Sequence, residues 1–139
     1  MLADRFKDKT LISLDTEFID TGTEIALISV GMVREDGAEL YLENRRFFAD
    51  HEHLIDDWTA ENTLAKTFLQ TAPDDPRVMD KSEMGEQILR FCLEGGKAPS
   101  IWAHYASYDW VALCQVWGPM LSIPSGMPYH AMDFRVAQD

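Results

Sequence analysis

An α/β fold built on one mixed sheet is predicted by three observations. Leu11-Ile12-Ser13-Leu14 is a short apolar run of the kind that fills a sheet interior. Glu24 to Val33 is a second β-rich run, and the Asp36-Gly37 pair after it accepts the positive φ of a tight hairpin turn. Farther on the period changes: Met84, Ile88, Phe91 and Cys92 recur at helical spacing. Five strands are expected, an antiparallel meander followed by parallel strands, with helices flanking the sheet.

In chain order, the first strand gives way to a turn at Asp20-Thr21-Gly22-Thr23. The Glu24–Val33 run should lie buried beside it. After the hairpin, Leu40-Tyr41-Leu42 leads through Asn44 and Arg45 to Phe47-Phe48 as a third strand. A short helix is expected around Thr59 to Leu69, then a loop at Pro73-Asp74-Asp75-Pro76. Asp80 with Glu83 three residues later is a variant capping box, and the helix it opens stops at Gly95-Gly96. Ser100-Ile101-Trp102-Ala103 reads as a short buried strand, and Ser107 as the cap of a helix from Tyr108 to about Trp117. After Gly118-Pro119, Pro124, Gly126 and Pro128 keep the chain irregular. Tyr129 to Val136 reads as a last strand running into a helix that barely begins.

The 139 residues suffice for one domain, 1–139, with a single core. With 46% hydrophobic and 11% aromatic residues the chain is globular rather than disordered. Residues 1 to 8 hold no uninterrupted apolar stretch, so no signal peptide is expected, and no run reaches the length of a membrane span. Cys92 and Cys114 sit in apolar helical patterns without zinc-site spacing, which suits reduced thiols in a cytoplasm. The net charge of −12 is awkward for a nucleic-acid partner, which electrostatics alone would match with a basic face. Either the partner is not a polyanion, or bound cations supply positive charge where a phosphate sits.

The chemistry concentrates after the first apolar run, at Asp15-Thr16-Glu17. Side chains alternate along a strand, so Asp15 and Glu17 point one way and Thr16 the other, with the two acidic Cα atoms roughly 6.5–7 Å apart. Two carboxylates can then converge on one hard cation, Mg²⁺ or Mn²⁺ rather than zinc. The plainer reading is a solvated strand end. A second acidic landmark is Asp109, in the first turn of a helix that follows a strand. There a carboxylate also suits the helix dipole, and both readings stay open on spacing alone. His51 and His53 could ligate a metal, but lone histidines between acids are more often solvated, and they are read so.

Leu14-Asp15-Thr16-Glu17-Phe18 resembles the first exonuclease motif of the DEDD 3′-5′ exonuclease superfamily. His104-Tyr105-Ala106-Ser107-Tyr108-Asp109 is similar to its second, His-Asn-x-x-Phe-Asp, with Tyr105 for the usual Asn and Tyr108 for the usual Phe. The stretches Asp15–Ile19, Leu27–Val33 and Ala112–Met120, the last with its Trp-Gly-Pro-Met, read like a bacterial and phage branch of small exoribonucleases known from a mycobacterial example. The likeness runs from about Leu11 to Met120.

The resemblance implies a ribonuclease H-like fold and two-metal hydrolysis of single-stranded RNA from the 3′ end, with DNA 3′ ends and a homodimer also admitted. On it, Asp15, Glu17 and Asp109 hold Mg²⁺ or Mn²⁺. Thr16 and Phe18 flank the terminal nucleotide with Phe18 stacking on its base, though Phe18 also suits a core. His104 and Tyr108 count with the substrate-binding residues, His104 as a support of the motif loop rather than as the catalytic base. A third motif, carrying a fourth Asp and a His or Tyr, is not matched convincingly. Tyr129-His130-Ala131-Met132-Asp133 fits Tyr-x-x-x-Asp in letters but follows Asp109 too soon. The expectation is a chain that stops before its last catalytic helix and is slow or inactive on its own. Rival readings are a degenerate domain of this fold that binds nucleotides or a protein without hydrolysis, and an acidic domain with no nucleic-acid role.

Overall fold

A computed structural model describes residues 5–137. Met1–Asp4, half of the stretch read for a signal peptide, and Gln138 and Asp139 lie outside the described residues. The elements are β1 (Lys9–Asp20), β2 (Ile25–Arg34), β3 (Glu39–Asn44), α1 (Phe47–His51), α2 (Asp57–Asn62), α3 (Phe68–Thr71), β4 (Val78–Met79), α4 (Lys81–Leu93), β5 (Ala98–Ala103), α5 (Ala106–Cys114), β6 (Met132–Asp133) and α6 (Phe134–Ala137). They build one mixed sheet in the order β4-β3-β2-β1-β5-β6. The meander β1-β2-β3 is antiparallel, and β4, β5 and β6 pair parallel to their neighbours.

Six strands stand where five were expected. The additional one is β4, whose two residues are too few to show a period. Other boundaries shift for local reasons. The third strand stops at Asn44, and Phe47-Phe48 begin α1 instead. The helix expected over Thr59–Leu69 is broken into α2, a 3₁₀ turn at Leu64–Lys66, and α3. Asp56 and Thr67 cap two of these pieces, accepting the amides of Thr59 and Gln70. Asp80 precedes α4 but makes no capping bond, its carboxylate lying 3.5 Å from Arg45. The helix α5 starts at Ala106, so Ser107 lies inside it rather than capping it.

Over most of its length β1 buries one face and leaves the other open. Thr10, Ile12, Leu14 and Thr16 are buried while Ser13, Asp15 and Glu17 are exposed, the period of two that a strand imposes. Ile12 and Leu14 join Val30, Met32 and Leu42 under α4 and α5, whose Met84, Ile88, Cys92, Ala112 and Leu113 complete the larger core. A smaller core on the opposite face gathers Ala26, Ile28, Phe47, Leu64, Leu69 and Val78. Cys92 and Cys114 are free thiols.

A buried acid ties the smaller core together. Glu43 is 1% exposed, and its carboxylate accepts the amides of Phe68 (3.0 Å) and Leu69 (2.7 Å) and the Tyr41 hydroxyl (2.6 Å). Three donors replace the water that a buried carboxylate loses. Among the described residues, no helix is long and apolar enough to cross a membrane.

Candidate active site

The site forms where β1 outruns its neighbour. Parallel pairing of β1 with β5 ends at Ser13 opposite Trp102, while pairing with β2 continues to Asp20. Past Ser13 the β5 side of β1 is an open edge with unspent amides. There β5 gives way to His104 and Tyr105, and α5 begins. The acidic pair therefore sits in mid-strand, and it is the neighbouring strand that ends.

Asp109, in the first turn of α5 and 8% exposed, fills that edge. Its Oδ1 accepts the Thr16 amide at 3.0 Å and also the Thr16 hydroxyl. Thr16 faces away from Asp15 and Glu17, as alternation requires, and its buried position is what lets it meet α5. Asp15 and Glu17 share the other face, where Glu17 lies opposite Ser29 and Ser29 opposite Glu43. The β1–β2 register shifts at Glu17/Phe18, where Ile28 is the extra residue of β2, and Phe18, on the Thr16 side of β1 by alternation, packs against the larger core.

Two open clefts meet at Asp15, His104 and Asp109, which line both. The larger, about 790 Å³, runs over β1–β3 past Gly31 and Tyr41 to Arg77. The smaller, about 420 Å³, is lined by Glu17, Phe18, Tyr108 and Trp58. Phe18 and Tyr108 stack nearly parallel, 6.3 Å between ring centres and 13° between planes. Trp58 on α2 is 68% exposed. The sequence reading did not assign it to the site; its signal was a large aromatic beside Asp56 and Asp57 with no apolar period to bury it.

The electrostatics mark the carboxylates as neighbours. Glu17 is held above its ordinary pKa by partial dehydration, then by Asp15 and Asp109, with Lys66 opposing. Asp109 is raised by burial, opposed by its two bonds from Thr16, with Asp15 raising it further. Like charges drawn together in a half-dry cleft describe a place that a divalent cation would relieve. Among the described residues, no group of three or more His, Cys, Asp or Glu side chains forms a ready-made metal enclosure. The donor set still fits hard cations of the Mg²⁺ type, which take carboxylates and keep several waters.

The remaining candidates fall apart from one another. His104 leans on Phe134, ring centres 5.1 Å apart. Tyr105 sits in the left-handed region at φ 55°, a conformation that Asn tolerates better than Tyr. Tyr129, His130 and Asp133 line neither cleft. Tyr129 is 69% exposed and accepts the Trp110 indole N–H through its carbonyl at 3.2 Å. Asp133 accepts the amides of Ala106 and Arg135. His51 lies 3.6 Å from Glu24 and, like His53, lines neither cleft.

Comparison with known proteins places the chain in a family. The chain is 36% identical over 124 residues to the 3′-5′ exoribonuclease Rv2179c of Mycobacterium tuberculosis (strain ATCC 25618 / H37Rv), an alignment covering 87% of this chain and 69% of the relative. It matches the 3′-5′ exoribonuclease MT2234.1 of strain CDC 1551 / Oshkosh to the same extent. Residues 10–137 match the profile of a domain family, and so the chain belongs to the 3′-5′ exoribonuclease Rv2179c-like domain family.

Proposed function

We propose that this protein shortens single-stranded RNA from the 3′ end by metal-dependent hydrolysis of phosphodiester bonds. One observation carries the reading. Asp15 and Glu17 share a face of β1, and Asp109 is pinned to the edge of the same strand, so three carboxylates border one pair of joined clefts.

Asp15, Glu17 and Asp109 would hold Mg²⁺ or Mn²⁺, which supplies an acidified water and offsets charge at the departing 3′ oxygen. Thr16 engages Oδ1 of Asp109 alone and thereby fixes the direction of Oδ2. The smaller cleft suits the 3′-terminal nucleotide, because the Phe18–Tyr108 stack and exposed Trp58 offer flat faces that accept any base. His104, at the junction of the clefts, would support the strand there. Cations bound among these acids also reconcile the −12 charge with a polyanionic substrate. Free Cys92 and Cys114 suit a reducing cytoplasm.

A second reading is a domain of this fold that binds 3′ ends without cleaving them. It is favoured by the position of Tyr129, His130 and Asp133 outside both clefts, so that the Tyr-x-x-x-Asp segment adds no acid to Asp15, Glu17 and Asp109. One assay separates the readings. With Mn²⁺, a 5′-labelled RNA strand should give a ladder shortening one nucleotide at a time, and a DNA strand should react more slowly. Binding of the labelled strand with no ladder would establish the second reading.

A further inference from the structure

The helix that presents Asp109 lacks a cap of its own. Tyr105 occupies the N-cap position of α5, but in the left-handed region and without a side-chain bond to the helix. The amide of Ala106, first residue of the helix, is satisfied from elsewhere in the chain. It donates to Oδ2 of Asp133 at 3.1 Å. Asp133 stands in β6, in register with Ala103 at the end of β5, so the sheet itself delivers the carboxylate to the helix end.

The other oxygen of Asp133 is also spent. Oδ1 accepts the Arg135 amide at 2.8 Å, in the first turn of α6. One carboxylate thus closes the N-termini of two helices, and the Arg135 amide, with that of Ala106, lowers its pKa from the ordinary value. A second tie runs beside it: the Arg135 guanidinium lies 4.4 Å above the Tyr105 ring. Three residues after Ala106 comes Asp109, held from the far side by Thr16.

We infer that Asp133 is a positioning residue that sets the start of α5 and so aims the Asp109 carboxylate at the edge of β1. It acts through the Ala106 amide. A helix whose first turn is free to fray lets Asp109 drift, and a displacement of about 1 Å at a reacting group can cost on the order of 100-fold in rate. The catalytic consequence rests on the reading of Asp109 given under Proposed function; the positioning itself does not.

The test uses the whole chain and reads the Thr16 amide, whose partner is Asp109 rather than the β1–β2 ladder. Hydrogen exchange at Thr16 is measured by NMR in the wild type, Asp133→Ala, Asp133→Asn, Asp109→Ala and the unrelated core variant Leu69→Ala. Asp109→Ala removes the acceptor and sets the upper limit. Asp133→Ala should speed Thr16 exchange by about tenfold or more, toward that limit, while amides of the β1–β2 ladder stay protected. Asp133→Asn, which keeps one acceptor, should fall between, and Leu69→Ala should leave Thr16 as in the wild type. In the activity arm, Asp133→Ala should lower kcat on RNA about tenfold with KM within about twofold. Unchanged Thr16 exchange in Asp133→Ala overturns the inference, as does an equal rise in Leu69→Ala. A wild type that does not shorten RNA removes the functional reading, while the exchange result still decides the positioning.

Discussion

Thr16 holds Asp109 twice, through its amide at 3.0 Å and through its hydroxyl, both on the same carboxylate oxygen. The two residues are 93 positions apart and join β1 to α5 at the point where β5 has turned away. This contact brings the third acid to the other two, and Thr16 can make it because a strand sends alternate residues to opposite faces.

Replacing Thr16 with Val keeps the shape and the amide bond and removes the hydroxyl. A hydrogen bond to a charged acceptor contributes about 1.5–3 kcal/mol. Thr16→Val should therefore loosen Asp109 and lower kcat on RNA by about tenfold, with KM changed less than about twofold. Steady-state kinetics read both, and an unaltered kcat would show that the amide alone suffices.

Asp15→Asn should stabilise the metal-free protein. Glu17 and Asp109 are raised above their ordinary values of 4.5 and 3.8, each partly by Asp15. A carboxyl with a raised folded-state pKa binds its proton more tightly in the folded chain than in the unfolded one. Stability therefore falls as pH rises from those ordinary values through the folded-state ones. The variant should flatten this fall and show a higher Tm near neutrality, measured by thermal melts from pH 4 to pH 8 in chelator. A Tm at pH 7 below that of the wild type would contradict the crowding of these acids.

The meander, the two principal helices and the acidic residues of β1 and α5 were legible because each rests on a local rule. Leu11–Leu14 and Glu24–Val33 carry strand composition, and Met84, Ile88, Phe91 and Cys92 carry a helical period. What was illegible depends on partners distant in sequence. Nothing near Glu43 foretells that it meets Phe68 and Leu69, so its burial was invisible, and with it the broken path of Leu64–Thr71. Asp133 likewise reads only as the Asp of a Tyr-x-x-x-Asp match in letters until Ala106 is seen against it. Trp58 was visible as a residue but not as a wall of the cleft, since α2 places it there only in the folded chain.

Glu43→Ala should unfold the chain easily. It leaves the amides of Phe68 and Leu69 without their acceptor beneath the smaller core and frees the Tyr41 hydroxyl, which water can reach. Unsatisfied buried donors cost about 1–3 kcal/mol each, so the two amides alone imply a loss of about 2–6 kcal/mol and a Tm lower by about 6–18 °C. Differential scanning calorimetry reads it. A fall under about 2 °C would mean that water reaches these donors.

Gly85→Ala should also destabilise, against the helix preference for Ala. A Cβ there would stand 2.8 Å from the Trp117 indole nitrogen, which donates to the Gly85 carbonyl at 3.2 Å. Ala in an open helix gains about 1 kcal/mol over Gly. Overpacking costs about 1–3 kcal/mol, so chemical denaturation should give a net loss, and a gain would show that Trp117 moves aside freely.

If Asp15, Glu17 and Asp109 work as one metal-dependent site, removing any one of them should disable it. Single-turnover shortening of 5′-labelled RNA in Mn²⁺ should be compared for the wild type, Asp15→Ala, Glu17→Gln, Asp109→Ala and the triple variant, with folding checked by thermal melts. Each single variant should lose about 10³-fold or more, and the triple variant little beyond that, because groups acting as a unit are not additive. Chelator should stop the wild type. Shortening that survives chelator, or any single variant within about tenfold of the wild type while folded, would show that these three acids do not form one metal-dependent site.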